Sequence, residues 1–282
     1  MTRRAGGRRA ANQTVPPAGS VPQTDPGPAA APVPPGSFAS GWAGRTRQAI
    51  RHGLLPTAGR LTLAYLVLTG IWTGLGLLLT GPLSGTWVGS IDQDVAGWLV
   101  RRRTPQFDGW SHLGSMLAET LVKVFATAVI AVVMLLVWRS WREPFLVSFA
   151  LILEAAVFIT VTWLVARPRP DVPALDEVSV STSFPSGHAA AAAAYGAIAI
   201  VIFEHTRSTW IRTITVALAV IVPAVVGLSR MYRGVHYLTD VIGGIALGAV
   251  CVFAVYGIAP PGRRRGADGV RTGVPDPRPD ER

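Results

Sequence analysis

Residues 229–258 read SRMYRGVHYLTDVIGGIALGAVCVFAVYGI. The part from Leu238 onward is almost continuously apolar and has about the 20 residues that a helix needs to cross the hydrocarbon core of a bilayer. The part before it is polar and carries Arg230 and His236, and Asp240 stands in the first turn of the apolar segment. The stretch therefore predicts a membrane-spanning helix with a cluster of charged and hydrogen-bonding groups at one end.

Long apolar segments recur through most of the chain. Of its 282 residues, 50% are hydrophobic and 15% are charged, and the mean hydropathy is +0.39, whereas a soluble domain carries about 25% charged residues. The runs are too long and too continuously apolar for the strands of a membrane barrel, so they predict helices. The expected fold class is all-α, a six-helix transmembrane bundle with spans near residues 61–80, 118–138, 144–166, 187–204, 211–228 and 238–258.

The two ends of the chain differ in composition from this central domain, residues 60–258. Residues 1–59 are rich in Pro, Ala and Arg, and residues 259–282 are polar and basic. Neither end has enough large apolar side chains to build a core, so we expect two disordered tails. Cys251 is the single cysteine and lies in an apolar run, which excludes an intrachain disulfide and a cysteine-based metal site.

The distribution of arginine predicts the orientation in the membrane. With six spans, both tails lie on one side, and that side with its loops carries 18 arginines against 7 on the other. Arg-rich segments stay in the cytoplasm. We therefore expect a multi-pass protein of the cell membrane with both tails cytoplasmic. The net charge of +10 is explained by this topology, so the expected partner is the bilayer and not nucleic acid.

Three polar clusters lie in connections between the spans. RPRP (167–170) and PSGH (185–188) fall between the third and fourth spans, and residues 229–240 fall between the fifth and sixth. Counting spans places both connections on the extracytoplasmic face. Clusters that are distant in sequence can therefore meet at one membrane surface.

His236 and Asp240 are the first candidates for chemistry. They are four residues apart and share a face if the helix begins there. A carboxylate beside an imidazole fixes the tautomer and orients the other ring nitrogen for attack. An interfacial histidine near a helix-start aspartate is the plainer interpretation of such a pair taken alone.

The other two clusters supply candidates for phosphate binding. The PSGH segment predicts a turn into the fourth span, with Ser186 as N-cap, Gly187 allowing a ligand to approach the backbone, and His188 placed to donate a proton. Arg169 and Arg167 add guanidinium groups, which bind phosphate oxygens in pairs. Taken alone, each cluster also fits an ordinary capped helix or a basic loop.

Together the clusters resemble the type 2 phosphatidic acid phosphatase superfamily over roughly residues 60–258. The family signature is Lys, six residues, Arg-Pro; then Pro-Ser-Gly-His; then Ser-Arg, five residues, His, three residues, Asp. The second and third motifs match in full. The first matches only at Arg169 and Pro170, because Thr162 stands where the family has lysine; Arg167 is the first candidate to replace that cation and Lys123 the second.

The resemblance implies metal-free phosphoryl transfer in two steps, with no cofactor. His236 would attack phosphorus and become a phosphohistidine, Asp240 would hold it, and His188 would protonate the leaving group and then activate water. The phosphate would be bound by Arg169, Arg230, Ser186, Gly187 and Arg167. Three acidic residues near the site are interpreted as solvated loop residues and not as metal ligands: Asp171, Asp176 and Glu177.

The position of the clusters at the bilayer rim favours a lipid phosphate as substrate. Family members act on prenyl diphosphates and phospholipid phosphates, and an outward-facing site fits a substrate of the undecaprenyl diphosphate kind. Two alternatives stay open: a lipid phosphotransferase with an alcohol acceptor, and a lipid-binding or transport protein that has lost turnover, which Thr162 favours. The oligomeric state is open as well.

Two further features have two interpretations each. Residues 92–103 predict a short amphipathic helix that either rests on the membrane interface or covers the site as a lid. Glu154 lies within the third span, where an acid is either functional or hydrogen-bonded to another helix.

Overall fold

The computed structural model describes residues 55–116, 120–176 and 182–259. These ranges form nine helices, here numbered α1 (Leu55–Thr80), α2 (Trp87–Val100), α3 (Pro105–Met116), α4 (Thr120–Trp138), α5 (Arg142–Val165), α6 (Gly187–Ala194), α7 (Gly196–His205), α8 (Thr209–Tyr232) and α9 (Leu238–Ile258). Almost all of the two expected tails, residues 1–54 and 260–282, lies outside the described residues.

The predicted all-α architecture is confirmed. Six stretches of the described chain are long and apolar enough to cross a membrane: Leu55–Thr80, Leu121–Trp138, Arg142–Val165, Gly187–His205, Thr209–Tyr232 and Leu238–Ile258. Two boundaries differ from the expectation. Helix α1 begins at Leu55, so residues expected in the tail are helical, and α8 continues to Tyr232, which places Arg230 inside its last turn.

The fourth span consists of two helices that meet at Tyr195. The hydroxyl group of Tyr195 donates a hydrogen bond to the backbone carbonyl of Lys123 at 2.9 Å and lies 3.1 Å from the hydroxyl of Thr127. These contacts fasten the break in the fourth span to α4 inside the bundle.

Helix α5 lies at the centre of the bundle and contacts α1, α4, α6, α7 and α9. Its buried residues belong to the main apolar core, in which Leu146, Val157 and Val161 are fully enclosed. Large apolar side chains on the outer surfaces of α1, α4 and α8 are exposed, as expected where a helix faces lipid. The core therefore sits around α5 and supports the neighbouring α6 and α9.

Glycine permits the close contact between α6 and α9. A Cβ atom at Gly244 would lie 2.4 Å from the carbonyl oxygen of Ser186, and one at Gly248 would lie 2.1 Å from that of Ala190. Small residues at such crossings let helix backbones approach each other. The backbone N–H of Ser186 also donates to the carbonyl of Asp240 at 3.0 Å. The start of α6 is thus fixed against the start of α9.

The amphipathic helix expected over residues 92–103 is observed as α2, shifted toward the N-terminus and ending at Val100. Helix α2 leaves Trp87 and Trp98 exposed but buries Leu99 against residues of α8 and α9. Helix α3, which the sequence did not predict, also docks on α8, because Tyr232 donates a hydrogen bond to the carboxylate of Asp108 at 3.0 Å. Both short helices lie at the end of the bundle where the polar connections meet.

Candidate active site

His236 lies in a buried turn between α8 and α9. Gly234 makes this turn with φ of +78°, and a Cβ atom there would lie 2.7 Å from a guanidinium nitrogen of Arg103, so a side chain is excluded by conformation and by space. The Nδ1 atom of His236 is 2.8 Å from the carbonyl oxygen of Ser183. A carbonyl only accepts hydrogen bonds, so Nδ1 carries the proton and Nε2 keeps its lone pair.

Asp240 is placed differently from the expectation. Helix α9 begins at Leu238, so His236 precedes the helix, and the Asp240 carboxylate lies 3.8 Å from Nδ1, beyond hydrogen-bond length. One oxygen accepts the backbone N–H of Tyr237 at 2.8 Å, and the other accepts Arg167 at 2.5 Å. In this structure the Ser183 carbonyl orients the imidazole, while Asp240 acts on it through its charge.

Burial lowers the pKa of His236 below its ordinary value of 6.5. The Asp240 carboxylate opposes this effect, and the positive charges of Arg169 and Arg230 add to it. Because the net pKa shift is downward, the imidazole is neutral at neutral pH. The ring is thus held in the protonation state that a nucleophile needs.

Arg167 joins two carboxylates beneath the site. Its guanidinium group donates to Asp92 at 2.8 Å, to Asp240 at 2.5 Å and to the hydroxyl of Thr239 at 2.8 Å, and it lies 4.5 Å from the ring centroid of Tyr237. Burial lowers the pKa of Arg167. The carboxylates of Asp240 and Asp92 raise this pKa by a larger amount, so the net shift is upward. The structure shows Arg167 occupied by protein carboxylates, which differs from the phosphate-binding role expected for it.

The first turn of α6 carries the PSGH residues. Ser186 occupies the N-cap position, but its side chain makes no capping hydrogen bond, and within the described residues its buried Oγ has no partner. A Cβ atom at Gly187 would lie 2.7 Å from the ring of Phe158. A side chain there would have to displace the Phe158 ring, and the ligand approach suggested by the sequence stays a prediction. His188 is half-buried, and Arg230 and His236 are near enough for their charges to act on it.

Arg169 and Arg230 place positive charge beside the histidines. A guanidinium nitrogen of Arg169 donates to the carbonyl of Val235, directly before His236. Burial lowers the pKa of Arg169, the charge of Arg230 lowers it further, and Asp240 opposes both. The charge of Arg230 therefore acts on Arg169, as expected of two groups that bind one phosphate.

Asp176 is paired with two arginines, whereas a solvated side chain was expected in this loop. Its carboxylate oxygens lie 2.8 Å from Arg230 and 2.5 Å from Arg233. Asp171 is exposed, as expected, and Glu177 lies outside the described residues. The absence of a metal from the reaction stays a prediction.

Comparisons with known proteins identify one family. The PAP2 superfamily matches residues 143–264. Phosphatidylglycerophosphatase B of Bacillus subtilis is 40% identical over 95 residues, which cover 33% of this chain and 46% of that protein. Decaprenylphosphoryl-5-phosphoribose phosphatase of Mycobacterium tuberculosis is 34% identical over 131 residues, which cover 45% of this chain and 67% of that protein. The chain belongs to the PAP2 superfamily.

The family predicted from the motifs is thereby confirmed, and a solved PAP2 structure extends the likeness to the fold. The crystal structure of a transmembrane PAP2-type phosphatidylglycerolphosphate phosphatase from Bacillus subtilis matches with a TM-score of 0.58 at 26% identity, covering 70% of this chain and 92% of that chain. The part matched by sequence is less than half the length of the Bacillus phosphatidylglycerophosphatase B. Each of these relatives is named as a phosphatase, in agreement with the hydrolase class expected from the sequence.

The PAP2 lysine position is occupied by Thr162, which is buried in the last turn of α5, and within the described residues its hydroxyl has no hydrogen-bond partner. Lys123, the second candidate for the missing cation, lies 3.9 Å from the fully buried carboxylate of Glu154. Glu154 thus has an ion-pair partner on α4, but within the described residues neither of its carboxylate oxygens makes the interhelical hydrogen bond that was one of its two interpretations.

Two residues of this PAP2 site were missed by sequence reasoning. Asp92 on α2 is almost fully buried and accepts hydrogen bonds from Arg167 and from the backbone N–H and hydroxyl of Thr239. Ser183 accepts from His236 and donates its hydroxyl hydrogen to the carbonyl of Pro168 at 2.9 Å. An acid on the apolar side of an amphipathic helix was a usable signal for Asp92, whereas Ser183 acts through its backbone carbonyl, which sequence does not reveal.

Proposed function

We propose that this protein is an integral-membrane lipid phosphate phosphatase that works through a phosphohistidine. The observation that carries the proposal is the position of His236: its Nδ1–H is held by the Ser183 carbonyl, and two arginines, Arg169 and Arg230, lie beside it. A nucleophile with a free Nε2 lone pair next to preorganised positive charge is what phosphoryl transfer requires.

In the first step, Nε2 of His236 attacks phosphorus and the bond from phosphorus to the leaving oxygen breaks. His188, as imidazolium, gives its proton to that oxygen. The phosphorylated imidazole is positively charged, and the Asp240 carboxylate, 3.8 Å from Nδ1, stabilises this charge. Arg169, Arg230 and the Ser186 hydroxyl bind the phosphoryl oxygens, whose charge increases in the transition state.

In the second step, water attacks phosphorus and the P–N bond to His236 breaks. His188, now neutral, takes the proton from the water, so both histidines return to their starting states as phosphate leaves. No step needs a metal ion or an organic cofactor. The Gly187 N–H, in the first turn of α6, adds a donor for the phosphate.

Arg167 has a different role in this proposal from the one expected from sequence. Its contacts to Asp92 and Asp240 make it a positioning residue that holds the start of α9 beneath His236. Neutralising two buried carboxylates is a sufficient reason for a buried guanidinium group.

The substrate class follows from the location of the site at the end of a membrane bundle. A phosphate at headgroup depth reaches His236 while the lipid tail stays in the bilayer. We propose a phospholipid phosphate or a prenyl diphosphate such as undecaprenyl diphosphate, in keeping with relatives named for a phosphatidylglycerophosphate and for a decaprenylphosphoryl sugar phosphate. The arginine bias favours an extracytoplasmic site in the cell membrane, with both tails cytoplasmic.

Phosphate release from a panel of lipid phosphates by the purified protein in EDTA tests this function. We expect release by the wild type, near-complete loss in His236→Ala and His188→Ala, and normal release in the control His205→Gln. His205 is exposed at the far end of α7, where it pairs with Glu143. Release that needs added metal, or that persists without His236, would contradict the proposal.

A further inference from the structure

Asp176 occupies the position of an anion in the active site. Its carboxylate bridges Arg230, the arginine of the third PAP2 motif, and Arg233, at 2.8 and 2.5 Å. The side chains of both arginines are 7% exposed and that of Asp176 is 19% exposed. A carboxylate and a phosphate present similar pairs of oxygens to a guanidinium group. Asp176 therefore makes the contact with Arg230 that a substrate phosphate would make.

The segment carrying Asp176 is held in place by backbone contacts that do not involve its carboxylate. Arg103 donates to the carbonyl of Pro173 at 2.6 Å, and the N–H of Leu175 donates to the carbonyl of Arg233 at 2.9 Å. Arg233 also donates to the carbonyl of Leu175 at 3.3 Å. Because these bonds already fix the residues that lead to Asp176, its carboxylate is not needed to fasten that part of the chain.

We propose that Asp176 competes with anions for Arg230, so that a dianionic phosphate group displaces it whereas a more weakly bound, singly charged phosphodiester does not. This inference rests on the proposed function and deepens it. Phosphodiester headgroups surround such a site in any bilayer, so a lipid phosphatase has to reject them.

The selectivity follows from charge. A phosphodiester carries one negative charge, as Asp176 does, so exchanging one for the other gains little electrostatic energy. A phosphate monoester carries about −1.5 to −2 charges at neutral pH, and it gains additional attraction from the guanidinium groups that surround the site.

The ionisation of Asp176 is consistent with this role. Burial raises its pKa, but the hydrogen bond from Arg233 and the charge of Arg230 lower it more, with a smaller contribution from His112. The net pKa shift is downward, so the carboxylate stays charged wherever the substrate is a dianion. If Asp176 served only to orient Arg230, its removal would weaken the binding of anions, whereas competition predicts that removal strengthens it.

Binding of two small probes to the purified full chain tests the proposal. Inorganic phosphate at pH 8 is the dianion, and dimethyl phosphate is the monoanion. We expect the wild type to bind phosphate at least about tenfold more tightly, the scale of a hydrogen bond to a charged group. In Asp176→Asn, we expect the dissociation constants for both probes to fall by about tenfold, because either anion then binds without displacing a carboxylate.

Asp171→Asn is the matched control, because it removes the same charge from an exposed position of the same connection. It should leave both dissociation constants unchanged. Weaker binding of both probes to Asp176→Asn would overturn the proposal in favour of an orienting role, and unchanged binding would overturn it as well. If Asp176→Asn does not fold, the wild type alone decides, since equal affinity for the two probes contradicts displacement of Asp176 by the dianion alone. Binding is measured without turnover, so failure of the proposed hydrolysis is recognised separately.

Discussion

The Nδ1 atom of His236 lies 2.8 Å from the carbonyl oxygen of Ser183 and 3.8 Å from the carboxylate of Asp240. The imidazole is thus oriented by a backbone group, while the carboxylate supplies charge at a distance. This division of roles separates the positioning of the nucleophile from the stabilisation of its phosphorylated form. It also frees Asp240 to bind Arg167 and the N–H of Tyr237.

The first prediction concerns the pH dependence of hydrolysis. Attack requires neutral His236, and its pKa is lowered from 6.5 by burial, so the acid limb of kcat/KM set by this group should lie below pH 6.5. Asp240 raises this pKa. Asp240→Asn should therefore move that limb further down while lowering kcat. A pH–rate profile with an acid limb for His236 above 6.5 would contradict the assignment.

The same pKa shift makes a prediction for stability. The folded protein holds His236 with a depressed pKa, so the unfolded chain binds its proton at a higher pH. The contribution of this residue to stability is complete above pH 6.5 and is lost as pH falls through the folded value. Thermal unfolding of the wild type and of His236→Gln should show that the acid-side loss is smaller in the variant.

The second prediction concerns the buried pairing of Asp92 with Arg167. Asp92→Asn leaves part of the guanidinium charge uncompensated in the interior, which should cost about 3 kcal/mol of unfolding free energy. The exposed neighbour Asp94 on the same helix is the control, and Asp94→Asn should change stability by less than about 0.5 kcal/mol. Equal effects of the two substitutions on the unfolding midpoint would show that the pairing does not stabilise the fold.

The third prediction separates two serines at helix starts. Ser186 makes no capping hydrogen bond, and its buried Oγ lacks a partner within the described residues. Ser208 accepts the N–H of Ile211 at the start of α8. Ser186→Ala should raise KM or lower kcat by about tenfold with little change in stability. Ser208→Ala should cost about 0.5 kcal/mol of stability and leave the kinetics unchanged. The opposite pattern would remove Ser186 from the phosphate site.

The fourth prediction tests the contact between α6 and α9. The Cβ atom of Gly244→Ala would overlap the carbonyl of Ser186, whereas nothing lies within 4 Å of a Cβ at Gly257 on the same helix. Gly244→Ala should destabilise the protein by about 1 to 3 kcal/mol and displace the first turn of α6. Gly257→Ala should be neutral or slightly stabilising. A fully active and stable Gly244→Ala protein would show that the close approach is not required.

The parts of the structure that depend on composition and sequence spacing could be predicted. Continuous apolar runs predicted the number of spans, and counting them predicted that the three clusters share one end of the bundle. The contacts of Asp240 with Arg167 and with the Ser186 N–H join them there. The number of spans depends on local sequence. The side on which a connection lies depends only on whether an odd or an even number of spans precedes it.

The parts that depend on which polar group finds which partner could not be predicted. Nothing in the spacing shows that Arg167 binds Asp92 across 75 positions, or that Asp176 reaches Arg230 and not solvent. The contacts of Arg167 and Asp176 differ from those expected because buried charges select partners in three dimensions. Such choices become visible only once the helices are packed.

The most direct test of the account is detection of the phosphorylated enzyme. Purified protein mixed with a lipid phosphate substrate is quenched at high pH within milliseconds to seconds, and the peptide containing His236 is analysed by mass spectrometry for an acid-labile phosphoryl group. We predict phosphate on His236 in the wild type, more of it in His188→Ala with a substrate whose leaving group needs no proton, and none in His236→Ala. Turnover of the wild type with no phosphorylated His236 at any time point, or with the phosphoryl group on another residue, would contradict the account.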